Sequence, residues 1–287
     1  MEQHRKKSKL LTIALWSCGG LTALLLLWGG VIEPNRLVIR RSTIQIDGLP
    51  TEMEGVKALI IADTHFGAGF IDKWRKERIL KTFRNEKAGF CFLLGDYIAV
   101  GALPHYGAMS PEELTAFFAA LKAPGGTYAV LGNHELWYGR KRMTDLLQKA
   151  GVQMIENKPV SFKGITLAGV PDSSTAPFER NKFNELIKEP DILFLLSHKG
   201  GMLRFVKREK TTVMFSADTH GGQIRIPGVS SLKDFLQRRK EFAPGVSKWW
   251  GHTLFITTGA GGHKLGFRLF CPPEIAVVTF TGKKGNI

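Results

Sequence analysis

The fold of this chain is indicated most clearly by residues 56–65, which read VKALIIADTH. The apolar run has almost no alternation of polar and apolar residues, which is typical of a strand buried on both faces. It ends directly at Asp63 and His65, and similar apolar runs end at Asp96 and at His134. In α/β sheets, functional side chains gather where the strands end. The stretch therefore predicts an α/β domain with its chemistry at one edge of a sheet.

Helix and strand patterns alternate along the rest of the chain. Apolar residues at helical spacing predict helices over 72–86 and 140–150, and the series Ser110, Pro111 and Glu113 predicts the capped start of another helix. Apolar runs predict later strands at 165–170, 191–197, 212–216, 253–258 and 275–280. Because no internal repeat or low-complexity linker is visible, we predict a single α/β domain.

The composition restricts the class of protein. The 287 residues are 44% hydrophobic and 23% charged, which excludes a disordered chain, a collagen-like chain and a polytopic membrane protein. A formal charge of +15 predicts an anionic partner, and the basic excess lies mainly in 1–41 and 202–270. The three cysteines lie far apart and indicate no disulfide framework.

The N-terminal region predicts a membrane anchor. Residues 10–32 carry no charge, and as a helix they would extend about 34 Å, enough to cross a bilayer. The alternative is a cleaved signal peptide, which has a shorter apolar stretch and a small-residue cleavage site. We therefore expect a basic arm at 1–9, a transmembrane anchor at 10–32, a linker and entry segment at 33–55 and the main domain at 56–287. The flanking basic residues favour a cytoplasmic N-terminus only slightly, so the side of the domain stays open.

Five polar groups follow apolar runs, and their side-chain types suit a metal site. One such histidine is more often a structural residue, but five groups together indicate a shared site. Asp and Asn oxygens with His nitrogens bind Mn, Fe or Zn, and Mg is possible. Two such ions would activate a water molecule and hold the oxygens of a phosphoryl group. The groups are Asp63-x-His65, Gly95-Asp96, Gly132-Asn133-His134, Ser197-His198 and Asp218-x-His220.

In their order, these motifs resemble those of the calcineurin-like metallophosphoesterases, from about residue 57 to the end of the chain. The run GGQIRIPG at 221–228 and the pattern from Arg268 to Ile275 resemble the membrane-associated bacterial branch typified by YkuE and YaeI. The resemblance implies a four-layer α/β/β/α sandwich with a binuclear metal centre. It also implies hydrolysis of a phosphomonoester, phosphodiester or pyrophosphate at a bacterial inner membrane.

The resemblance further assigns roles to individual residues. The implied metal ligands are Asp63, His65 and His220 for the first ion, Asp96 as the bridge, and Asn133 and His198 for the second ion. His134 would donate a proton to the leaving oxygen or a hydrogen bond to the phosphoryl oxygens. The nucleophile would be a metal-bound hydroxide.

The chain departs from the family at one metal position. The usual Gly-His-Thr-His motif is Ala217-Asp218-Thr219-His220 here, so Asp218 stands where the family has a histidine on the second ion. A carboxylate binds Mn, Fe or Mg, which predicts a retuned enzyme that prefers harder ions. The alternative is a catalytically weak relative that keeps the fold for binding.

Further residues are candidates for contact with substrate or membrane. His105, Arg225 and His263 are candidate substrate-binding residues. Residues 229–251 interleave aromatic side chains with cations, which suits an anionic membrane, a lipid-linked phosphorylated substrate or an ordinary amphipathic element. No nucleic-acid-binding module is visible in the sequence, so no nucleic-acid partner is expected.

Together these features predict a membrane-anchored phosphoesterase that acts on a phosphorylated, lipid-linked substrate. A specific alternative is an enzyme like the UDP-2,3-diacylglucosamine pyrophosphatases of lipid A synthesis, which are relatives in this superfamily. That reaction requires a site that faces the cytoplasm, against the slight preference of the flanking charges.

Overall fold

A computed structural model of the chain describes residues 2–67, 71–99, 109–172, 178–207, 209–226, 230–231, 243–262 and 266–282. The helices in this part of the chain are α1 (Glu2–Leu27), α2 (Ile71–Glu86), α3 (Pro111–Ala119), α4 (His134–Tyr138), α5 (Arg140–Lys149) and α6 (Arg180–Leu186). The first seven strands are β1 (Val38–Ile46), β2 (Lys57–Ile61), β3 (Phe90–Leu93), β4 (Thr127–Ala129), β5 (Gln153–Met154), β6 (Val160–Phe162) and β7 (Ile165–Val170). The later strands are β8 (Ile192–Lys199), β9 (Thr211–Ala217), β10 (Arg225–Ile226), β11 (Ser230–Ser231), β12 (Gly245–Trp249), β13 (His252–Ile256) and β14 (Glu274–Gly282).

Two six-stranded mixed sheets dominate the fold. The first has the order β1-β14-β2-β3-β4-β5, in which only β14 and β2 run antiparallel. The second has the order β12-β13-β9-β8-β7-β6, with antiparallel edge pairs around a parallel centre. The predicted α/β class is therefore confirmed, and the parallel centres bring several strand ends to a common side of each sheet.

Three apolar clusters explain why the central strands are apolar throughout. Alternate residues of β2, Ala58 and Ile60, enter a cluster between the two sheets, where Phe215 comes from the opposite sheet. The intervening residues Leu59 and Ile61 pack in a second cluster with α2, α3 and α5. A third cluster joins the second sheet to α6. The layers are thus helices, sheet, sheet and helix, and the strands are buried on both faces.

The segment 33–55, expected as a linker and entry segment, contains a strand of the first sheet. β1 pairs in parallel with β14 over its whole length and forms the edge of that sheet. Arg40 and Arg41 on β1 bind the carboxylates of Glu274 and Glu86. Charged residues are common on edge strands because they prevent further pairing. They also remove the apolar pattern by which the other strands are recognised in the sequence.

α1 is long and apolar enough to cross a membrane by length and composition. The candidate span covers Arg5–Asn35, and its most apolar 18-residue window has a mean hydropathy of 2.1 and no buried residue within the described chain. A signal sequence near an N-terminus has the same properties. Trp28–Ile32 continue the helix as a π-helical turn, and Glu33–Asn35 form a short 3-10 turn before β1. The apolar surface of α1 therefore needs an environment that the described domain does not provide.

Candidate metal centre

The ends of five strands bring together the eight residues that the sequence groups predicted. β2, β3 and β4 supply residues from the first sheet, and β8 and β9 supply residues from the second. The eight are Asp63, His65, Asp96, Asn133, His134, His198, Asp218 and His220. All are buried except Asn133 and Asp218, which are half-buried. Loops from both sheets therefore meet in one polar cluster within an otherwise apolar interior.

The backbone at these strand ends is strained. Asp63, His65, Asp96, Asp218 and His220 all have left-handed backbone angles, with φ between 43° and 69°. Residues other than glycine rarely adopt this region, and each instance costs about 1–3 kcal/mol. Strain of this kind persists only where the surrounding structure enforces it, so its concentration in one cluster points to a functional site.

The donor atoms of the cluster form three overlapping groups that could each hold a metal ion. The groups are Asp63 with His65 and His220, His65 with Asp96 and His134, and Asp63 with Asp96 and His198, and within each group the ligand atoms lie within 4.8 Å of one another. His65 Nε2 lies 3.2 Å from His220 Nε2. Because the groups share members, they form one continuous cluster of candidate metal ligands.

Asp96 and Asp218 lie on either side of His198. His198 Nε2 is 3.4 Å from Asp96 Oδ2 and 3.4 Å from Asp218 Oδ1. Burial favours the neutral imidazole, but the carboxylates of Asp96 and Asp218 raise the pKa of His198 well above its ordinary value. Burial would raise the pKa of Asp96, yet His198 and His65 lower it below its ordinary value. Asp218 is therefore placed where it can act as a ligand in place of an imidazole.

The buried carboxylate of Asp63 tests whether these residues fit a metal ion. Asp63 is 0% exposed, and among the residues that the structure describes neither of its carboxylate oxygens has a hydrogen-bond partner. Burial raises its pKa well above the ordinary value for a carboxyl group. A buried carboxylate without hydrogen bonds is costly, and a bound cation would remove that cost. The surroundings of Asp63 therefore fit a metal ligand.

His198 shows the same fit on the other side of the cluster. Its Nδ1 is 2.8 Å from the carbonyl oxygen of Leu94, so Nδ1 is the donor there and Nε2 is the nitrogen that faces Asp96 and Asp218. That Nε2 is buried and makes no hydrogen bond within the described chain. Metal-binding histidines are typically oriented through their other ring nitrogen in this way.

A pocket of about 410 Å³ opens onto the cluster. Its walls are Asp96, Asn133, His134, Asp218, Thr219, His220, Gly222 and Gln223. Asn133 and Asp218, the two half-buried members, therefore face space that a substrate can enter. Thr219 and Gln223 add polar groups to the wall that the sequence motifs contain but that had no assigned role.

His134 lies against both the cluster and the pocket. Its backbone N–H donates to Asp96 Oδ1 at 2.9 Å, and its ring contacts the rings of His65 and Trp137 edge to face. Burial lowers the pKa of His134, because the imidazolium form loses hydration. A ring with this placement can donate a hydrogen bond or a proton to a group in the pocket.

Glu135 holds the two loops that carry Asp96 and Asn133. Its carboxylate accepts hydrogen bonds from the backbone N–H groups of Asp96 at 2.9 Å, Tyr97 at 2.8 Å and Gly132 at 2.7 Å. Burial and the nearby Asp96 charge raise the pKa of Glu135 to about 7. The sequence motif includes Glu135, but only the three-dimensional contacts show this positioning role.

Arg268 is a second positioning residue that sequence reasoning missed. It is 0% exposed. Its guanidinium donates to the carbonyl oxygens of Gly261 at 2.5 Å, Thr258 at 2.8 Å and Cys271 at 3.0 Å. Its Nη2 also lies 3.4 Å from His220 Nδ1. The buried guanidinium therefore fixes the loops behind Asp63 and His220 and places a positive charge beside an acidic cluster.

The remaining predicted residues are outside the cluster or outside the described chain. His105, His263 and most of 229–251 lie outside the described residues. Arg225 is described and half-buried, and it donates to the Gly221 carbonyl oxygen at 3.3 Å without lining the pocket. The described end of 229–251 includes β12, where Trp249 packs against the apolar cluster beside α6 and Trp250 is 54% exposed.

Comparison with protein families gives a match over most of the chain. The family model described as Calcineurin-like phosphoesterase matches residues 56–266, a range that contains all eight residues of the cluster. A protein of Aquifex aeolicus described as an uncharacterized metallophosphoesterase is 29% identical over 268 residues, which cover 89% of this chain and 95% of that protein.

Two relatives with more specific names also align along most of the chain. A Chlamydia muridarum protein named UDP-2,3-diacylglucosamine pyrophosphatase LpxG is 22% identical, over 93% of this chain and 96% of its own length. An Escherichia coli protein named Phosphodiesterase YaeI is 23% identical, over 77% of this chain and 81% of its own length.

Proposed function

The chain belongs to the calcineurin-like phosphoesterase family and is a phosphoric ester hydrolase, and we propose that it works as a membrane-anchored enzyme with two metal ions. The observation that carries the two-ion proposal is the buried carboxylate of Asp63, which makes no hydrogen bond within the described chain. It lies where two of the three donor groups overlap.

The proposed ligands divide into two sets with one shared member. They are Asp63, His65 and His220 for one ion, Asn133, His198 and Asp218 for the other, and Asp96 between them. Asp96 Oδ2 lies 3.8 Å from His65 Nε2 and 3.4 Å from His198 Nε2, which supports its shared position. Bound divalent ions, with Mn, Fe, Zn or Mg as candidates, would supply charge neutralisation and an activated water for phosphoryl transfer.

The chain's own residues supply binding and proton transfer. His134 lines the pocket beside Asp96, and we assign to its imidazole the proton that the leaving oxygen needs. Thr219 and Gln223, which also line the pocket, can donate hydrogen bonds to phosphoryl oxygens. Asn133 is a neutral ligand, which limits repulsion between the acidic cluster and an anionic substrate.

The proposed substrate is a lipid-linked phosphoester or pyrophosphate, and the proposed location is the inner membrane of a bacterium with α1 as a single-pass anchor. The exposed apolar surface of α1 supports the location. The name of the Chlamydia relative supports an acylated substrate, and a similar pyrophosphatase activity is the specific alternative. We leave the side of the membrane open, because basic residues flank the uncharged stretch 10–32 on both sides.

Turnover of a generic diester tests the proposal. The full chain in detergent should hydrolyse bis-p-nitrophenyl phosphate in the presence of Mn²⁺. Asn133→Ala should lower kcat by about 100-fold or more, because one metal ligand and one pocket wall are lost. Gln153→Ala, an exposed amide on β5, is the matched control and should retain full activity. Full activity in Asn133→Ala would contradict the proposed ligand set.

A second candidate function rests on Asp218. A carboxylate in place of a family histidine could leave a binding protein without turnover. Its position 3.4 Å from His198 Nε2 and on the pocket wall instead favours a ligand, and hence a retuned enzyme. An inactive parent together with an active Asp218→His variant would contradict the native enzyme and favour the binding function. An active parent would exclude it.

A further inference from the structure

The end of the anchor helix is fixed to the domain rather than joined to it by a free linker. The carbonyl oxygen of Gly29 accepts a hydrogen bond from the backbone N–H of Arg268 at 2.9 Å. Gly29 is buried, and a side chain there would overlap the ring of Phe267. Trp28 Nε1 donates to the carboxylate of Glu33, which is 1% exposed. The π-helical turn therefore has a defined seat on the loop at 266–271.

This seat adjoins the wall of the metal pocket. The backbone N–H of Leu269 donates to the Gln223 carbonyl oxygen at 2.9 Å, and Arg225 N–H donates back to the Leu269 carbonyl oxygen at 2.9 Å. Gln223 lines the pocket, and the Arg268 side chain reaches the ligand candidate His220. Only one paired segment therefore separates the end of the anchor from the pocket.

Exposed apolar side chains adjoin two of the segments that line the pocket. Phe270 and Ile226 are 48% and 38% exposed and belong to the paired segments beside the seat. Leu136 and Trp137 are 48% and 62% exposed and follow His134 on α4. We call these four residues the rim. Such residues are costly in water unless a partner covers them, and Trp and Phe are common at membrane interfaces.

We infer that the rim rests on the bilayer that holds α1, so that the metal pocket opens at the level of the lipid headgroups. This inference rests on the proposed membrane anchor and deepens the proposed substrate class. Because the anchor ends on Phe267 and Arg268, the membrane surface must begin close to Phe270 and the pocket wall. Arg36, which stacks over Trp28, and the overall charge of +15 favour contact with anionic lipids. A phosphoester at that depth can enter the pocket while its acyl chains stay in the membrane.

The depth of the rim can be measured in the full chain. An exposed cysteine is introduced by Trp137→Cys or Phe270→Cys in a Cys18→Ser background, where the two remaining cysteines, Cys91 and Cys271, are buried. The exposed cysteine is labelled with an environment-sensitive nitrobenzoxadiazole dye. Leu186→Cys on α6 is the control, because Leu186 is also exposed, at 39%, but does not line the metal pocket. The proteins are reconstituted in vesicles of phosphatidylethanolamine and phosphatidylglycerol that contain a lipid spin-labelled near the headgroup.

The inference predicts several-fold stronger lipid quenching at positions 137 and 270 than at position 186. Equal quenching at all three positions would overturn it. Labels at 137 and 270 that are shielded from aqueous iodide but not quenched by the spin-labelled lipid would indicate a second copy of the chain on the rim, and would also overturn it.

Hydrolysis of bis-p-nitrophenyl phosphate by the Cys18→Ser parent separates this inference from the proposed function. An active parent with unquenched rim labels would support the proposed enzyme and contradict the membrane contact of the rim. An inactive parent with quenched rim labels would contradict the proposed enzyme and support the membrane contact of the rim.

Discussion

Asp63 shows at the scale of one residue how function and stability oppose each other in this molecule. Its carboxylate is fully buried, has no hydrogen-bond partner within the described chain and is attached to a strained backbone. Both features cost free energy that folding must supply from elsewhere. A bound cation would offset the cost, so the site should be most stable when it is loaded.

Arg268 is the residue whose replacement should most disturb the loops that position the metal-ligand candidates. Arg268→Met leaves the carbonyl oxygens of Gly261, Thr258 and Cys271 without their donors, so we expect a loss of about 3 kcal/mol in unfolding free energy. Chemical denaturation of the full chain measures this loss. Arg84→Met, an exposed arginine on α2, should change stability little. An Arg268→Met protein as stable as the parent would contradict the positioning role.

The π-helical turn is the element on which the anchor seat depends. Gly29→Val should force the turn away from Phe267 and increase the rate of tryptic cleavage at Arg36, because overpacking costs about 1–3 kcal/mol. Gly30→Val is the matched control, since a side chain there would lie 3.9 Å from Phe267. Equal cleavage rates in the two variants would show that the turn does not pack against Phe267.

α2, β1 and β2 are joined by Glu86. Its hydrogen bond with Arg41, together with Lys57, lowers the pKa of Glu86 below its ordinary value of 4.5. A lowered pKa stabilises the fold above pH 4.5 and loses that effect as the pH falls through the folded-state pKa. Because Arg41 is largely exposed, Glu86→Gln should cost no more than about 1 kcal/mol at neutral pH.

The dependence on pH distinguishes this pair from a general effect of the substitution. The stability difference between the parent and Glu86→Gln should shrink when urea denaturation is repeated at pH 3. Glu77→Gln on the same helix, where the side chain is exposed, should show little difference at either pH. A constant difference for Glu86→Gln would mean that the ion pair is not its cause.

At the level of elements, the strands buried on both faces could be predicted from the sequence. β2, β3, β8 and β9 are continuous apolar runs because they face the other sheet on one side and helices on the other. The edge strand β1 could not be predicted, since its charged residues pair with Glu86 on α2 and with Glu274 on the neighbouring strand β14. The five-residue helix α4 is too short to show a helical period.

For the whole molecule, the eight residues of the cluster could be predicted because each lies at or shortly after the C-terminal end of an apolar strand. Glu135 and Arg268 could not be assigned positioning roles, because these depend on backbone groups distant in the chain. The contact between the π-helical turn and the domain could not be predicted either, because it joins Gly29 to Arg268, which are distant in the chain. Contacts of this kind leave no local pattern in the sequence.

The charge distribution fits the membrane location that we propose for the molecule. The acidic cluster lies in the interior beside the buried Arg268, while basic residues flank the apolar part of α1. Under that proposal, the +15 excess favours contact with anionic lipid headgroups and a phosphorylated substrate.

The manganese content of the purified full chain tests the two-ion site most directly. After incubation with Mn²⁺ and dialysis, elemental analysis should give about two ions per chain, the number that a shared-carboxylate site holds. Asp63→Asn should lose at least one ion, whereas Asp145→Asn, an exposed carboxylate on α5, should keep both. A parent that retains no manganese, iron or zinc, or an Asp63→Asn protein that retains as much as the parent, would contradict the account.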